Sequence, residues 1–162
     1  MRRNTYALSL LKGRQSLRLA GHDYRWSRYF VTIRARHNEP VFETPELRQI
    51  IEAHWYALPQ RFPSVTLNEF VIMPDHIHFI ICLDGMRKDA PPLGSIVGAY
   101  KSLTTTQWLK HVRMQSLSWE GTLWQRNYYE EIIFDSSAEL EHIRQYIRDN
   151  PQRAERGKSS PS

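Results

Sequence analysis

The stretch Phe70-Val71-Ile72-Met73-Pro74-Asp75-His76-Ile77-His78-Phe79-Ile80-Ile81-Cys82-Leu83 consists of two runs rich in β-branched and aromatic residues, broken once by Pro-Asp. Such runs around a turn signal predict two strands, Val65 to Met73 and His76 to Leu83, meeting at a tight turn. Side chains alternate along a strand, so His76, His78, Ile80 and Cys82 share one face while Ile77, Phe79, Ile81 and Leu83 share the other. One face is wholly apolar; the other opens with two imidazoles. Histidines at i and i+2 on one sheet face reach a single divalent cation, although histidines that merely hydrogen-bond at a sheet edge show the same spacing. A metal centre therefore requires a third ligand and a reactive group from elsewhere in the chain.

Working outward, Tyr29-Phe30-Val31-Thr32-Ile33-Arg34 reads as another strand, rich in aromatic and β-branched residues. Thr44-Pro45-Glu46 is a helix start, with Thr44 as N-cap, and Leu47, Ile50, Ile51, Trp55 and Leu58 follow at helical spacing until Pro59 and Pro63 stop it. Asp84 to Pro92 is a polar connection. Leu93, Ile96, Val97, Tyr100, Thr104 and Trp108 then mark a second amphipathic helix, with Lys101 beside its apolar stripe.

A loop through Gly121 leads by Leu123-Trp124-Gln125-Arg126-Asn127-Tyr128-Tyr129 to a further strand over Glu130 to Phe134. Ser136 or Ser137 caps a last helix whose stripe is Leu140, Ile143 and Ile147. His142, Tyr146 and Asn150 stand at i, i+4 and i+8 beside that stripe, and Pro151 is expected to end the helix. Before Tyr29 no hydrophobic period is sustained, so residues 1–28 are set apart as a basic extension, 29–154 as the folded domain, and 155–162 as a frayed tail.

The chain has 162 residues, of which 41% are hydrophobic and 24% charged, the composition of one ordinary globular domain. Lysine and arginine number 22 against 17 acids, a formal charge of +5, which suits an anionic partner such as nucleic acid as well as a solvated basic surface. One cysteine, Cys82, excludes an intrachain disulfide framework and fits a reducing compartment. With no apolar run of membrane length and no signal-peptide core, a cytoplasmic protein is expected.

A His-x-His on a strand, together with a tyrosine and an amide one turn apart on a helix, contains the parts for metal-assisted attack on a phosphodiester. The cation would polarise a phosphate oxygen, and Tyr146 would be the nucleophile. His142, one turn before Tyr146, is a candidate assisting base, because a phenol holds its proton at neutral pH.

The run Val71-Ile72-Met73-Pro74-Asp75-His76-Ile77-His78, then Leu123-Trp124-Gln125 with Tyr128-Tyr129, and finally Tyr146-Ile147 with Asn150-Pro151-Gln152-Arg153-Ala154 resemble the REP-associated tyrosine transposases. These are HUH-type single-strand transposases of small bacterial insertion sequences, and the resemblance spans roughly Tyr29 to Ala154. It implies an α+β, ferredoxin-like antiparallel sheet flanked by helices. It also implies cleavage and rejoining of structured single-stranded DNA at hairpin repeats through a 5′-phosphotyrosine, by a monomer or a homodimer associated with the nucleoid.

By the same resemblance His76, His78 and Asn150 hold Mg²⁺ or Mn²⁺ and Tyr146 is the nucleophile. Lys101, Arg126, Arg144, Arg148 and Arg153 are the DNA-binding candidates. Two departures stand out: after the paired aromatics this chain has Glu130-Glu131 and ends the strand on Phe134, where the family often has an acid-His pair and an arginine. That replacement motivates an alternative, a domesticated hairpin-binding protein that no longer cleaves. A hydrolase using metal-bound water is a third reading, for which Tyr146 would be dispensable.

Overall fold

A computed structural model describes residues 21–134 and 137–158 of the chain, with side chains as far as residue 152. The first 20 residues of the basic extension, Ser136 as a cap, and the Arg153 side chain lie outside the described residues. Four strands, β1 (Ser27–Arg34), β2 (Val65–Ile72), β3 (His76–Leu83) and β4 (Tyr129–Ile133), and three helices, α1 (Pro45–Arg61), α2 (Leu93–Met114) and α3 (Ser137–Lys158), follow one another as βαββαβα. The strands form one sheet in the order β2-β3-β1-β4 with every neighbouring pair antiparallel. This is the ferredoxin-like arrangement, a split βαβ in which the antiparallel β3 lies between β1 and β2.

The Pro-Asp break forms the turn between β2 and β3, closed by the Met73 amide donating to the His76 carbonyl at 2.8 Å. Alternation then sorts the sheet into two faces. Tyr29, Val31 and Ile33 of β1 and Ile77, Phe79 and Ile81 of β3 meet Leu47, Ile51 and Trp55 of α1 and Leu93, Ile96 and Tyr100 of α2 in the larger core. Phe30, Ile80 and Ile133 meet Leu140, Ile143 and Ile147 of α3 in a smaller second core on the opposite face.

Several local expectations are corrected. Thr44 occupies the N-cap of α1, but its side chain makes no capping hydrogen bond. Two prolines lie inside helices instead of ending them: α1 continues through Pro59 and stops at Arg61, two residues before Pro63, and α3 continues through Pro151 to Lys158. Proline's fixed φ is already helical, so each helix forgoes one backbone hydrogen bond and carries on. The strand expected over Glu130 to Phe134 is displaced by one residue, leaving Phe134 exposed beyond its end. β1 begins at Ser27, and Tyr24 stacks on Tyr29 at 5.7 Å, so the end of the extension belongs to the fold.

One irregularity positions α3. Between Leu67 and Phe70 the β2–β3 register shifts, and both of those residues pack against the larger core. This bulge places Asn68 and Glu69 side by side. Arg144 donates to Asn68 Oδ1 at 2.9 Å and Arg148 to Glu69 Oε1 at 2.5 Å, tying the last helix across the edge strand.

A paired-histidine site beneath the last helix

His76 and His78 open β3, opposite Arg34 and Thr32 of β1. On that face Phe30 stacks on the His78 ring with centroids 5.3 Å apart, which fixes one side of the pair. The two Nε2 atoms approach to 3.0 Å. Behind them, His76 Nδ1 lies 2.6 Å from Asp75 Oδ1, and His78 Nδ1 lies 2.8 Å from Thr32 Oγ1.

The partners define the proton arrangement. The Asp75 carboxylate only accepts, so His76 donates from Nδ1 and its Nε2 carries a lone pair. His78 donates to that lone pair from Nε2, and the Thr32 hydroxyl donates to His78 Nδ1. Burial holds both imidazoles below their usual protonation range, His78 the more strongly. The neighbouring His76, when protonated, and the Arg34 guanidinium add to the effect at His78, while Asp75 partly offsets burial at His76. Neutral imidazole is the form that ligates metal.

α3 lies over this pair. The Tyr146 ring centroid stands 5.9 Å from that of His78 and 6.4 Å from that of Phe30, edge-on to both. Tyrosine and histidines come together within one chain. One turn on, the Asn150 side-chain amide nitrogen is buried and has no hydrogen-bond partner among the described residues. His142, in contrast, is exposed and has no partner among the described residues. The helical repeat explains the split, since each four-residue step turns the side chain by about 40°: from His142 through Tyr146 to Asn150 the series rotates toward the sheet.

The residues fit a cation in part. Two neutral imidazoles converge through Nε2, each oriented from behind by a polar partner, the arrangement that fixes metal-ligating histidines. Cis ligands at metal–nitrogen distances of about 2.1 Å are themselves roughly 3 Å apart. Turning the Asn150 amide by 180° exchanges its nitrogen for an oxygen able to ligate. Among the described residues no cluster of three or more His, Cys, Asp or Glu side chains could hold a metal ion.

The basic residues separate. Lys101 Nζ donates to the carbonyls of Gln125, Arg126 and Asn127 at 2.7, 3.1 and 3.3 Å. Burial pushes its pKa down to about 8. Its donors fasten the loop from Gln125 to Asn127. Arg144 and Arg148 are occupied by β2 and by Glu141. Arg126 is exposed, in the loop that Gln125 joins to the end of β1 through its amide, 2.9 Å from the Arg34 carbonyl.

Sequence reading missed Thr32, Arg34 and Asp75 as site residues. Arg34 faces the histidine side beside His76, half-exposed, and its Nη1 is 3.9 Å from Asp75 Oδ2. The signal available for these residues was the alternation of β1, but it acquires meaning only once β1 is known to pair with β3. The departures at β4 turn inward: Glu130 is buried, and Glu131 accepts from the Tyr129 hydroxyl at 3.3 Å. Burial raises the Glu131 carboxyl above its usual range.

The family profile described as IS200-like transposase matches residues 24–150. The chain belongs to this family. An uncharacterized protein of Haemophilus influenzae is 33% identical over 165 residues, covering 85% of this chain and 88% of that protein. Two solved structures share the fold. One is a REP-associated tyrosine transposase bound to a REP hairpin, at TM-score 0.62 and 18% identity, covering 87% of this chain and 74% of that one. The other, described as a candidate transposase of Deinococcus radiodurans R1, superposes at TM-score 0.54 with 17% identity over 83% of this chain and 97% of that one. No helix among the described residues is long and apolar enough to cross a membrane.

Proposed function

We propose that this IS200-like transposase cleaves and rejoins structured single-stranded DNA through a 5′-phosphotyrosine on Tyr146, with Mg²⁺ or Mn²⁺ held by His76, His78 and Asn150. The observation that carries this reading is the convergence of the two histidine Nε2 atoms at 3.0 Å beneath the Tyr146 ring of the same chain. The cation, when bound, supplies Lewis-acid polarisation of a non-bridging phosphate oxygen. Tyr146 Oη attacks phosphorus, the P–O3′ bond breaks, and the phenolic proton is balanced by the one gained on the released 3′-hydroxyl. Rejoining is the reverse step: a 3′-hydroxyl attacks the phosphotyrosine and restores the phenol.

The remaining residues bind and orient. Arg34 and Arg126 offer guanidinium groups to the phosphates on either side of the scissile bond, bidentate donors suited to that geometry. Thr32 can donate to His78 Nδ1 or accept from it, so it supports both the histidine–histidine hydrogen bond and a ligating Nε2. A hairpin-repeat substrate is supported by the family and by the hairpin held by the structural relative.

The test is incubation of an end-labelled hairpin oligonucleotide with the protein and Mn²⁺, followed by denaturing electrophoresis. A protein–DNA adduct is expected that EDTA abolishes and Tyr146→Phe does not form. An adduct of equal yield from Tyr146→Phe would sink the nucleophile, and free cleaved product without adduct would point to a hydrolase. The non-cleaving alternative keeps its motive at Phe134, exposed beyond β4, while Glu131 accepts from the Tyr129 hydroxyl; salt-sensitive hairpin binding with no adduct under any divalent ion would favour it.

A further inference from the structure

At the opposite end of the sheet, where β2 begins and β3 ends, a cavity of about 590 Å³ opens between the end of α1 and the loop after β3. β3 separates it from the histidine pair by seven residue steps, roughly 23 Å at 3.3 Å per residue. Arg61, Arg87 and Lys88 line it against a single acid, Asp89. None of the three cations is paired with a carboxylate among the described residues.

Phe62 supplies apolar wall beneath the Arg61 guanidinium, which lies 5.8 Å from the ring centroid. Ser64, 3% exposed, forms part of the same wall, and its Oγ is buried with no hydrogen-bond partner among the described residues. A buried hydroxyl in that state is unfavourable until something satisfies it.

The basic loop has a fixed seat. Gly85 lies so close to the Trp26 indole that a Cβ there would be 2.6 Å from Nε1. Trp26 itself remains 39% exposed beside the loop. Unpaired cations, an aromatic surface and an unsatisfied hydroxyl around one cavity are the chemistry that takes a phosphate together with the base it carries.

We infer that this cavity is a second nucleotide-binding site, in which Arg87, Lys88 and Arg61 take a phosphate, Phe62 packs on the base, and Ser64, after rotation about χ1, hydrogen-bonds it. Resting on the proposed function, the nucleotide belongs to the DNA that is cut at the histidine end, so one substrate is held at two points along the sheet. A stem of about seven base pairs spans that separation at 3.4 Å per pair.

The test measures binding without cleavage. Wild type, Arg87→Glu/Lys88→Glu and Ser64→Ala are titrated across a salt series with a labelled hairpin of about seven base pairs, whose unpaired loop reaches the cavity, and with a four-nucleotide single strand. The charge-reversed variant is expected to lose at least tenfold in hairpin affinity and to flatten the log K against log salt slope by about 0.7 to 0.9, one phosphate contact's worth. The four-nucleotide strand should also lose affinity in this variant, since its nucleotides can occupy the cavity. Deoxynucleoside monophosphate should shift the amide resonances of Ser64, Arg87 and Lys88, and Ser64→Ala should weaken that binding while leaving the unfolding midpoint equal or higher.

Unchanged hairpin affinity and slope, with no monophosphate-induced shifts, would overturn the inference. So would a Ser64→Ala variant of lower midpoint and unaltered affinity, which would make the hydroxyl structural. Monophosphate shifts in a protein that binds no hairpin would keep the nucleotide site and refute its assignment to DNA. Failure of the Tyr146 adduct alone would leave the site standing, because neither titration depends on cleavage.

Discussion

The two faces of this sheet are built from alternate residues of the same strands, yet they are used differently. Among the described residues 25 buried side chains pack toward α1 and α2 around Trp55, Tyr100 and Phe79, whereas six do so toward α3, a face that also carries the histidines, Thr32 and Arg34. Burial of apolar area dominates stability, so the first face holds the fold together. The second sacrifices burial for polar groups whose positions are fixed by that first face. A site can be held rigidly on the less stable side of a sheet because the strands that carry it are anchored from the other.

The largest expected effect separates chemistry from stability. Tyr146→Phe should abolish the covalent adduct in Mn²⁺ while the thermal midpoint stays near that of the parent, since the phenol ring keeps its contacts with Phe30 and His78. A midpoint lowered along with activity would mean that the thin face is a structural core after all.

Next in size, Trp55→Ala removes a side chain stacked on Phe70 at 4.9 Å and should cost about 3–5 kcal/mol in denaturant unfolding. Ile143→Ala on the sheet-facing side of α3 should fall near the low end of the range for such truncations, about 2 kcal/mol. Equal costs would erase the contrast between the faces.

Smaller still, Thr32→Val keeps the shape of β1 but removes the partner of His78 Nδ1. Loss of such an orienting contact typically costs about 10- to 100-fold in metal affinity, measurable by Mn²⁺ titration. Global stability should move far less. The smallest effect is expected for Arg144→Ala, which removes one hydrogen bond to Asn68 and should cost about 1 kcal/mol in the unfolding free energy. A much larger cost would show that the bulge, and not the six apolar residues, seats the last helix.

Much of this was legible along the chain. The His76-Ile77-His78 triplet, the alternation of β3 and the apolar stripes of all three helices rest on local periodicity, which a sequence displays directly. The resemblance supplied the ferredoxin-like topology and the pairing of Tyr146 with the histidines. Helix ends were less legible, because Pro59 and Pro151 each remove one hydrogen bond, and the cooperative helix around them absorbs that loss. Lysine and arginine roles were the least legible. Charge is visible in sequence, but the carbonyls that engage Lys101 and the bulge that receives Arg144 and Arg148 come from segments 24 to 79 residues away.

The sequence by itself therefore determined which side chains share a face and which residue types could ligate, attack or bind phosphate, because those follow from the periods of strand and helix. Tertiary structure alone decided that β1 lies beside β3, bringing Thr32 and Arg34 to the histidines. It also turned His142 to solvent while Tyr146 and Asn150 approach the sheet, and gathered Arg61, Ser64 and Lys88 around one cavity. These are contacts between distant segments, and no local period encodes them; they exist only when the larger core has fixed the strands in register.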